Sequence, residues 1–210
     1  MKASLEVVQK FWDERARSGN TDCYRVDSSR RTQMMRFLAF AQVVRLEGSS
    51  ILDIGCGTGD FLDFLKQQGI NADYTGFDIS PVMIERCLER FPDGNFISGE
   101  FITWMPERTF DYTIAIAIHN NVRVKDAQEI LEATLRKQFE MAKQAAHMSV
   151  LSSLYADFSE SMQVWNPKDI LAMALDITPY VLFRHDYLLH DFSLTLFKEP
   201  TIDSWLGPRE

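Results

Sequence analysis

Cysteine is scarce in this 210-residue chain, and the three present, Cys23, Cys56 and Cys87, are scattered. An odd, widely spaced set supplies neither a disulfide framework nor a C-x-x-C metal pair. No apolar stretch approaches the ~20 residues needed to cross a bilayer. The opening Met1-Lys2-Ala3-Ser4-Leu5-Glu6 lacks the apolar core of a secretion signal. Repeats, low-complexity tracts and long Pro/Gly/Ser linkers are missing too. Positive charge is in deficit: 22 Lys and Arg stand against 30 Asp and Glu, a net charge of −8. The densest basic cluster, Arg30-Arg31 with Arg25 and Arg36 nearby, is small. A nucleic-acid enzyme needs a basic surface to meet phosphates, so a large nucleic acid is disfavoured as partner. These absences predict a cytoplasmic protein with no membrane association. They leave oligomeric state open.

What is present is concentrated in residues 51–61. Ile51, Leu52 and Ile54 read as a buried parallel strand. It stops in glycines at 55, 57 and 59, which remove every second side chain and let the backbone turn sharply against a ligand. Phe61-Leu62 and Phe64-Leu65 then recur at helical spacing. Strand, glycine turn and helix make a nucleotide-type pocket at the strand's carboxyl end. A second strand, Ala72 to Phe77, ends in Asp78, an acid placed to accept from both ribose hydroxyls of an adenosine.

The glycine spacing is G-x-G-x-G, whereas the dinucleotide fingerprint is G-x-G-x-x-G. Asp53, two residues before the first glycine, would repel a pyrophosphate but suits an ammonium. A NAD-dependent oxidoreductase is the rival that this spacing disfavours. Leu52-Asp53-Ile54-Gly55-Cys56-Gly57-Thr58-Gly59, followed by Asp78-Ile79-Ser80, closely resembles motif I and the acidic loop of class I S-adenosylmethionine-dependent methyltransferases. The resemblance covers about residues 35–198. It implies a doubly wound, seven-stranded α/β sheet, mostly parallel with an antiparallel last strand. It also implies an N-terminal helical cap (1–45) laid over a cofactor-binding domain (46–200).

Elsewhere the pattern alternates strands with helices, which argues for a parallel sheet covered on both faces. The spacing predicts helices over about 30–44, 58–68, 81–91, 125–144 and 167–175. Strands are expected at 50–54, 73–78, 96–97, 111–118, 148–151, 180–184 and 192–197. The last two are joined too briefly for a crossover helix and must run antiparallel.

By the resemblance, Gly55, Cys56 and Gly57 run under the methionine moiety of S-adenosylmethionine, and Asp53 favours its ammonium. Asp78 binds the ribose, while Ile79 and Met83 flank adenine; Met83 also suits a plain core position. Glu100 and Phe101 occupy the loop that meets the adenine edge in the family, with glutamate where aspartate is common. Ala115 and Ile116 pass behind the sulfonium. Acceptor-side candidates leave the strands' carboxyl ends. His119 is either a general base or a hydrogen-bonded loop histidine. Asn120 and Asn121 divide between orienting substrate and capping a turn. Tyr155 either lines the acceptor pocket or packs at the domain edge. Arg184 and Tyr187 either touch an acidic substrate or belong to a salt-bridged hairpin. The two histidines and two aspartates of 185–191 invite a metal reading, but no other segment supplies matching ligands, so none is expected. In the extension, Phe11, Trp12 and Tyr24 are lid candidates, and Arg36 could meet the cofactor carboxylate. The function expected is methyl transfer to an O or N atom of a small molecule. A non-catalytic binding protein and a methyltransferase acting on protein are the alternatives.

Overall fold

The computed structural model describes residues 1–18, 29–155 and 159–201. Its centre is β1 (Ser50–Ile54), buried from Ile51 onward. Parallel partners flank it on both sides: β2 (Asp73–Asp78) on one and β4 (Phe110–Ile116) on the other. The seven strands run β3-β2-β1-β4-β5-β7-β6, with β3 (Asn95–Ser98), β5 (Ala142–Leu151), β6 (Val181–Leu188) and β7 (Asp191–Phe197). Only β7 is antiparallel to its neighbours. Successive strands step outward in opposite directions from β1. The crevice therefore opens where the order reverses, at the carboxyl ends of β1 and β4.

Period-two alternation splits β1 between two apolar layers. Leu52 and Ile54 join Phe77, Leu131, Leu135, Met148, Val150 and Phe192 on one face. Ile51 joins Phe37, Phe40, Phe61, Phe64, Tyr112 and Ile114 on the other. The second layer explains the placement of α2 (Arg30–Ala41). Its Phe37 ring meets Phe61 at 5.2 Å and Phe64 at 5.6 Å between centroids. Those partners stand on α3 (Asp60–Gln67), which starts directly after the third glycine of the turn. α4 (Pro81–Arg90) begins as its sequence suggests: the Ser80 hydroxyl accepts from the Met83 amide at 3.2 Å, and Pro81 occupies the first turn.

α1 (Lys2–Arg17) lies over the crevice. Its Ser4 hydroxyl donates to Asp126 at 2.9 Å, just before α5 (Ala127–Met141). Its Asp13 carboxylate accepts from the Ser80 hydroxyl at 2.5 Å. The helix is thus tied to the starts of α5 and α4.

Four boundaries differ from the sequence reading by three residues or more. α5 stops at Met141, and β5 begins at once with Ala142, six residues earlier than expected. The segment Ala142 to His147 has helical composition, but Ala145 to His147 pair with both β4 and β7, and those ladders override propensity. β6 continues to Leu188 instead of ending at 184, so Arg184 to Tyr187 stand in a strand and not in a hairpin turn. α2 ends at Ala41, three residues short of Val44. α6 (Pro167–Leu175) follows its Asn166 cap as read. Among the described residues, no helix is long and apolar enough to cross a membrane.

Candidate active site

The glycine turn is built from three separate requirements. Gly55, Gly57 and Gly59 all have positive φ, between 56° and 80°. A Cβ on Gly55 would lie 2.2 Å from the Ile118 Cγ2, and one on Gly59 would press on the Phe91 ring at 3.0 Å. Gly57 is different: a Cβ there meets nothing within 4 Å, because it faces the open crevice. The turn is fastened from behind, where the Gly55 and Cys56 amides donate to the Phe77 carbonyl at 2.7 and 3.0 Å. The Cys87 thiol donates to the Gly57 carbonyl at 3.0 Å.

Asp78 closes the adjoining wall. One carboxylate oxygen accepts from the Gly57 amide at 2.9 Å and the other from the Ser80 amide at 2.8 Å. An ionised carboxylate has about four lone-pair sites, so acceptor capacity remains on Asp78 beyond these backbone bonds. Burial raises its pKa to about 6, a rise that the amides at Ser80 and Gly57 restrain and the nearby Asp13 charge adds to. Asp53 is only 4% exposed and accepts from the Tyr74 hydroxyl at 2.7 Å. Burial brings its pKa to about 7, opposed by that hydrogen bond and aided by the charges of Asp78 and Asp60. Two carboxylates held this far above their ordinary range mark a place prepared for hydrogen-bond donors or a cation.

A cavity of about 190 Å³ joins these groups. The structure brings together around it Asp53, Gly55, Cys56, Gly57, Asp78, Ile79, Met83, Glu100, Phe101, Ile116 and His119. Ala115 is fully buried and lies outside the lining; Ala117 and Ile118 line it in its stead. Ala117 has φ +62°, the one positive value outside glycine among the described residues. This sparsely populated conformation carries the chain from β4 around the cavity.

His119 leaves β4 with its Nε2 buried and without a hydrogen-bond partner. Burial lowers its pKa to about 4, so the ring is neutral at pH 7. Its carbonyl accepts from the Trp165 indole at 3.1 Å, and Trp165 itself lines the cavity. Sequence reasoning missed Trp165 because a loop brings it in: its backbone bonds to Leu151 and Ser153 at the end of β5, a pairing with no local signature. Leu5 and Val8, which the sequence spacing puts with Phe11 and Trp12 on one helical face, line the cavity from α1, and Gln33 of α2, which the sequence reading passed over, lines it as well.

Four acceptor-side candidates sit elsewhere. Asn120 is fully buried and lies outside the cavity lining; its Oδ1 accepts from the Leu151 amide at 3.0 Å, tying the β4 and β5 ends together. Tyr155 stands beside the His190 ring, 5.8 Å between centroids, away from the lining. Arg184 makes a bidentate pair with Asp186 at 2.9 and 3.0 Å and donates to the Ala39 carbonyl at 3.1 Å. Tyr187 donates to Asp191, on the far side of the ion pair that Asp191 forms with Arg36 at 2.7 Å. Arg36 does line the cavity, so this network reaches the site through it. Tyr24 lies outside the described residues.

Comparison with known proteins agrees with this geometry. A family profile described as "Methyltransferase domain" matches residues 51–137. A Mycobacterium tuberculosis (strain ATCC 25618 / H37Rv) protein named as a methyltransferase is 31% identical over 156 residues, 70% of this chain and 89% of that protein. A trans-aconitate 2-methyltransferase of Afipia carboxidovorans is 39% identical over 115 residues, 55% of this chain but only 38% of that enzyme. In fold, the magnesium protoporphyrin IX methyltransferase of Synechocystis PCC 6803, solved with bound S-adenosylhomocysteine, gives a TM-score of 0.66 at 16% identity, covering 92% of this chain and 99% of that one. With the glycine turn, the paired acids and the β3-β2-β1-β4-β5-β7-β6 sheet in place, the chain belongs to the class I S-adenosylmethionine-dependent methyltransferases.

Proposed function

We propose that the protein moves a methyl group from S-adenosylmethionine to an O or N atom of a small molecule enclosed beneath α1. The observation that carries this reading is Asp78. It is held by two amides at the mouth of the glycine turn, with spare acceptor capacity facing the cavity. That arrangement suits the two hydroxyls of a ribose. The open face of Gly57 suits a ligand lying flat on the turn. Asp53 would favour the ammonium of the amino-acid end. Met83, Ile79 and Phe101 would enclose the base, with Glu100 at its edge. We propose residues 1–45 as a cap and 46–200 as the cofactor-binding domain. The trans-aconitate relative supports a small acceptor, as does the enclosure of the cavity by α1.

When bound, the sulfonium supplies a methyl already activated for in-line displacement. The chain's own work is to position the acceptor and exclude water. α1 and Trp165 exclude water. His119, neutral at pH 7, accepts a hydrogen bond from the acceptor and can take its proton as the new bond forms.

Replacing Asp78 by alanine should weaken S-adenosylmethionine binding by about 1–3 kcal/mol, the cost of unmet hydrogen-bonding groups. Calorimetry measures this, and an unchanged dissociation constant would remove the ribose assignment. For His119→Ala, turnover should drop while cofactor affinity stays; wild-type turnover would reduce His119 to loop structure.

A further inference from the structure

The loop assigned to the adenine edge follows the least supported strand of the sheet. β3 has four residues, lies at the edge and pairs with β2 alone. Beyond Gly99 the chain makes a single tight turn, in which the Trp104 amide donates to the Glu100 carbonyl at 3.0 Å and to the Phe101 carbonyl at 3.3 Å. A turn this short has no following turn to donate to its last carbonyls. Lys137 supplies the donors. Its Nζ donates to the Ile102 carbonyl at 2.9 Å and to the Trp104 carbonyl. The same ammonium lies 5.2 Å from the centre of the Phe101 ring, within cation–π range.

The support that carries Lys137 is firm. On α5 it follows Ala127, Ile130 and Thr134 at helical spacing, and those three line the cavity. Leu131 and Leu135 of the same helix are fully buried in the layer that contains Leu52 and Ile54 of β1. Lys137 therefore fastens a peripheral turn to a helix packed on the strand that leads into the glycines. At the start of the turn, the amides of Glu100, Phe101 and Ile102 make no hydrogen bond among the described residues, and all three residues line the cavity. Unbonded amides beside a carboxylate offer both donors and an acceptor to the edge of a base.

We infer that Lys137 is a positioning residue for the cofactor's base: it fixes the turn from Glu100 to Trp104, so that Glu100 and Phe101 meet the base edge in one arrangement. This rests on the methyl-transfer reading and on its assignment of adenine to that turn.

The test titrates S-adenosylhomocysteine and S-inosylhomocysteine by calorimetry into the full chain and its Lys137 variants. The inosine form replaces the base's amino donor by a carbonyl and its ring acceptor by an N–H, so a fixed edge discriminates between the two. In the unaltered protein S-adenosylhomocysteine should bind about tenfold or more tighter, the effect of polar groups left unpaired. Lys137→Met keeps the alkyl stem and removes the donors. It should weaken S-adenosylhomocysteine about tenfold and cut the preference to about threefold or less, while thermal unfolding stays cooperative. Lys137→Arg, which keeps donors for the carbonyls, should restore the preference. Equal weakening of both ligands in Lys137→Met would make Lys137 a prop of the fold and overturn the inference, as would an unchanged preference. If Lys137→Met does not fold, Lys137→Gln, which keeps a neutral donor, is read in the same way. An unaltered protein that binds S-adenosylhomocysteine without distinguishing the two ligands would remove adenine from this turn, and the inference with it. One that binds neither would instead sink the methyltransferase reading.

Discussion

At the residue scale, the glycines of the turn do different jobs, and alanine substitution separates them. At Gly55 the new methyl would have to occupy the place of Ile118, in a backbone conformation that L-residues avoid. Gly55→Ala should therefore lower stability by about 2–4 kcal/mol. Gly57→Ala meets no protein atom, so only the backbone preference opposes it, about 1–2 kcal/mol. Its methyl would project where the cofactor is assigned. The expected pattern is a large loss of melting temperature with Gly55→Ala and a large loss of S-adenosylmethionine affinity with Gly57→Ala. Paired thermal melts and calorimetry read it directly, and a reversed pattern would contradict the placement of the ligand. All three glycines are plain in the sequence; which of them faces a neighbour and which faces the crevice is not.

At the scale of elements, α1 carries the enclosure. It is joined to the starts of α4 and α5 by side-chain hydrogen bonds from Asp13 and Ser4. The Asp13 bond is shared with the residue that caps α4, next to the Asp78 loop. Asp13→Ala should loosen α1 without unfolding the sheet, because the apolar layers lie elsewhere. Amide exchange along α1 should accelerate several-fold, and bound cofactor should dissociate faster. Unchanged exchange would show that apolar contacts alone hold the helix. The periodicity of Leu5, Val8 and Trp12 marked α1 as a helix with a face to bury. No property of the sequence named Asp126 and Ser80 as its anchors, because those contacts join residues more than 60 positions apart.

At the scale of the molecule, buried titrating groups set the response to pH. Asp53 and Asp78 rise from 3.8 to about 7 and about 6, so the folded protein holds protons that the unfolded chain releases above pH 3.8. Their linkage makes stability fall as pH rises through that window. His119 and His147 drop from 6.5 to about 4 and about 3, both through burial, so the unfolded chain holds protons that the folded protein lacks. Their linkage makes stability rise with pH up to 6.5. Between pH 4 and pH 6 the two pairs oppose each other, and the profile from these four groups is nearly flat. Asp53→Asn keeps the acceptor for Tyr74 but removes one descending contribution. Its stability should climb with pH from about 4 to 6.5, and at pH 8 it should exceed the parent protein, while its affinity for S-adenosylmethionine falls. Denaturant titrations across pH test this. A parallel shift with no change of slope would show that Asp53 is already ionised in the empty site.

The strand and helix alternation, the antiparallel last strand, the glycine turn and its two acids were all readable from the chain. Each depends on local periodicity or on residues within one strand–turn–helix unit, so neighbours in sequence carry the information. Tertiary structure alone decided that Asn120 braces two strand ends, that Arg184 and Tyr187 serve a strand and a buried ion pair, and that Trp165 walls the cavity. It also decided that Arg36 is neutralised by Asp191, 155 positions away. A side chain's polarity says that it needs a partner. Which partner it meets depends on how distant segments of the sheet and its covering helices come together, and no local pattern records that.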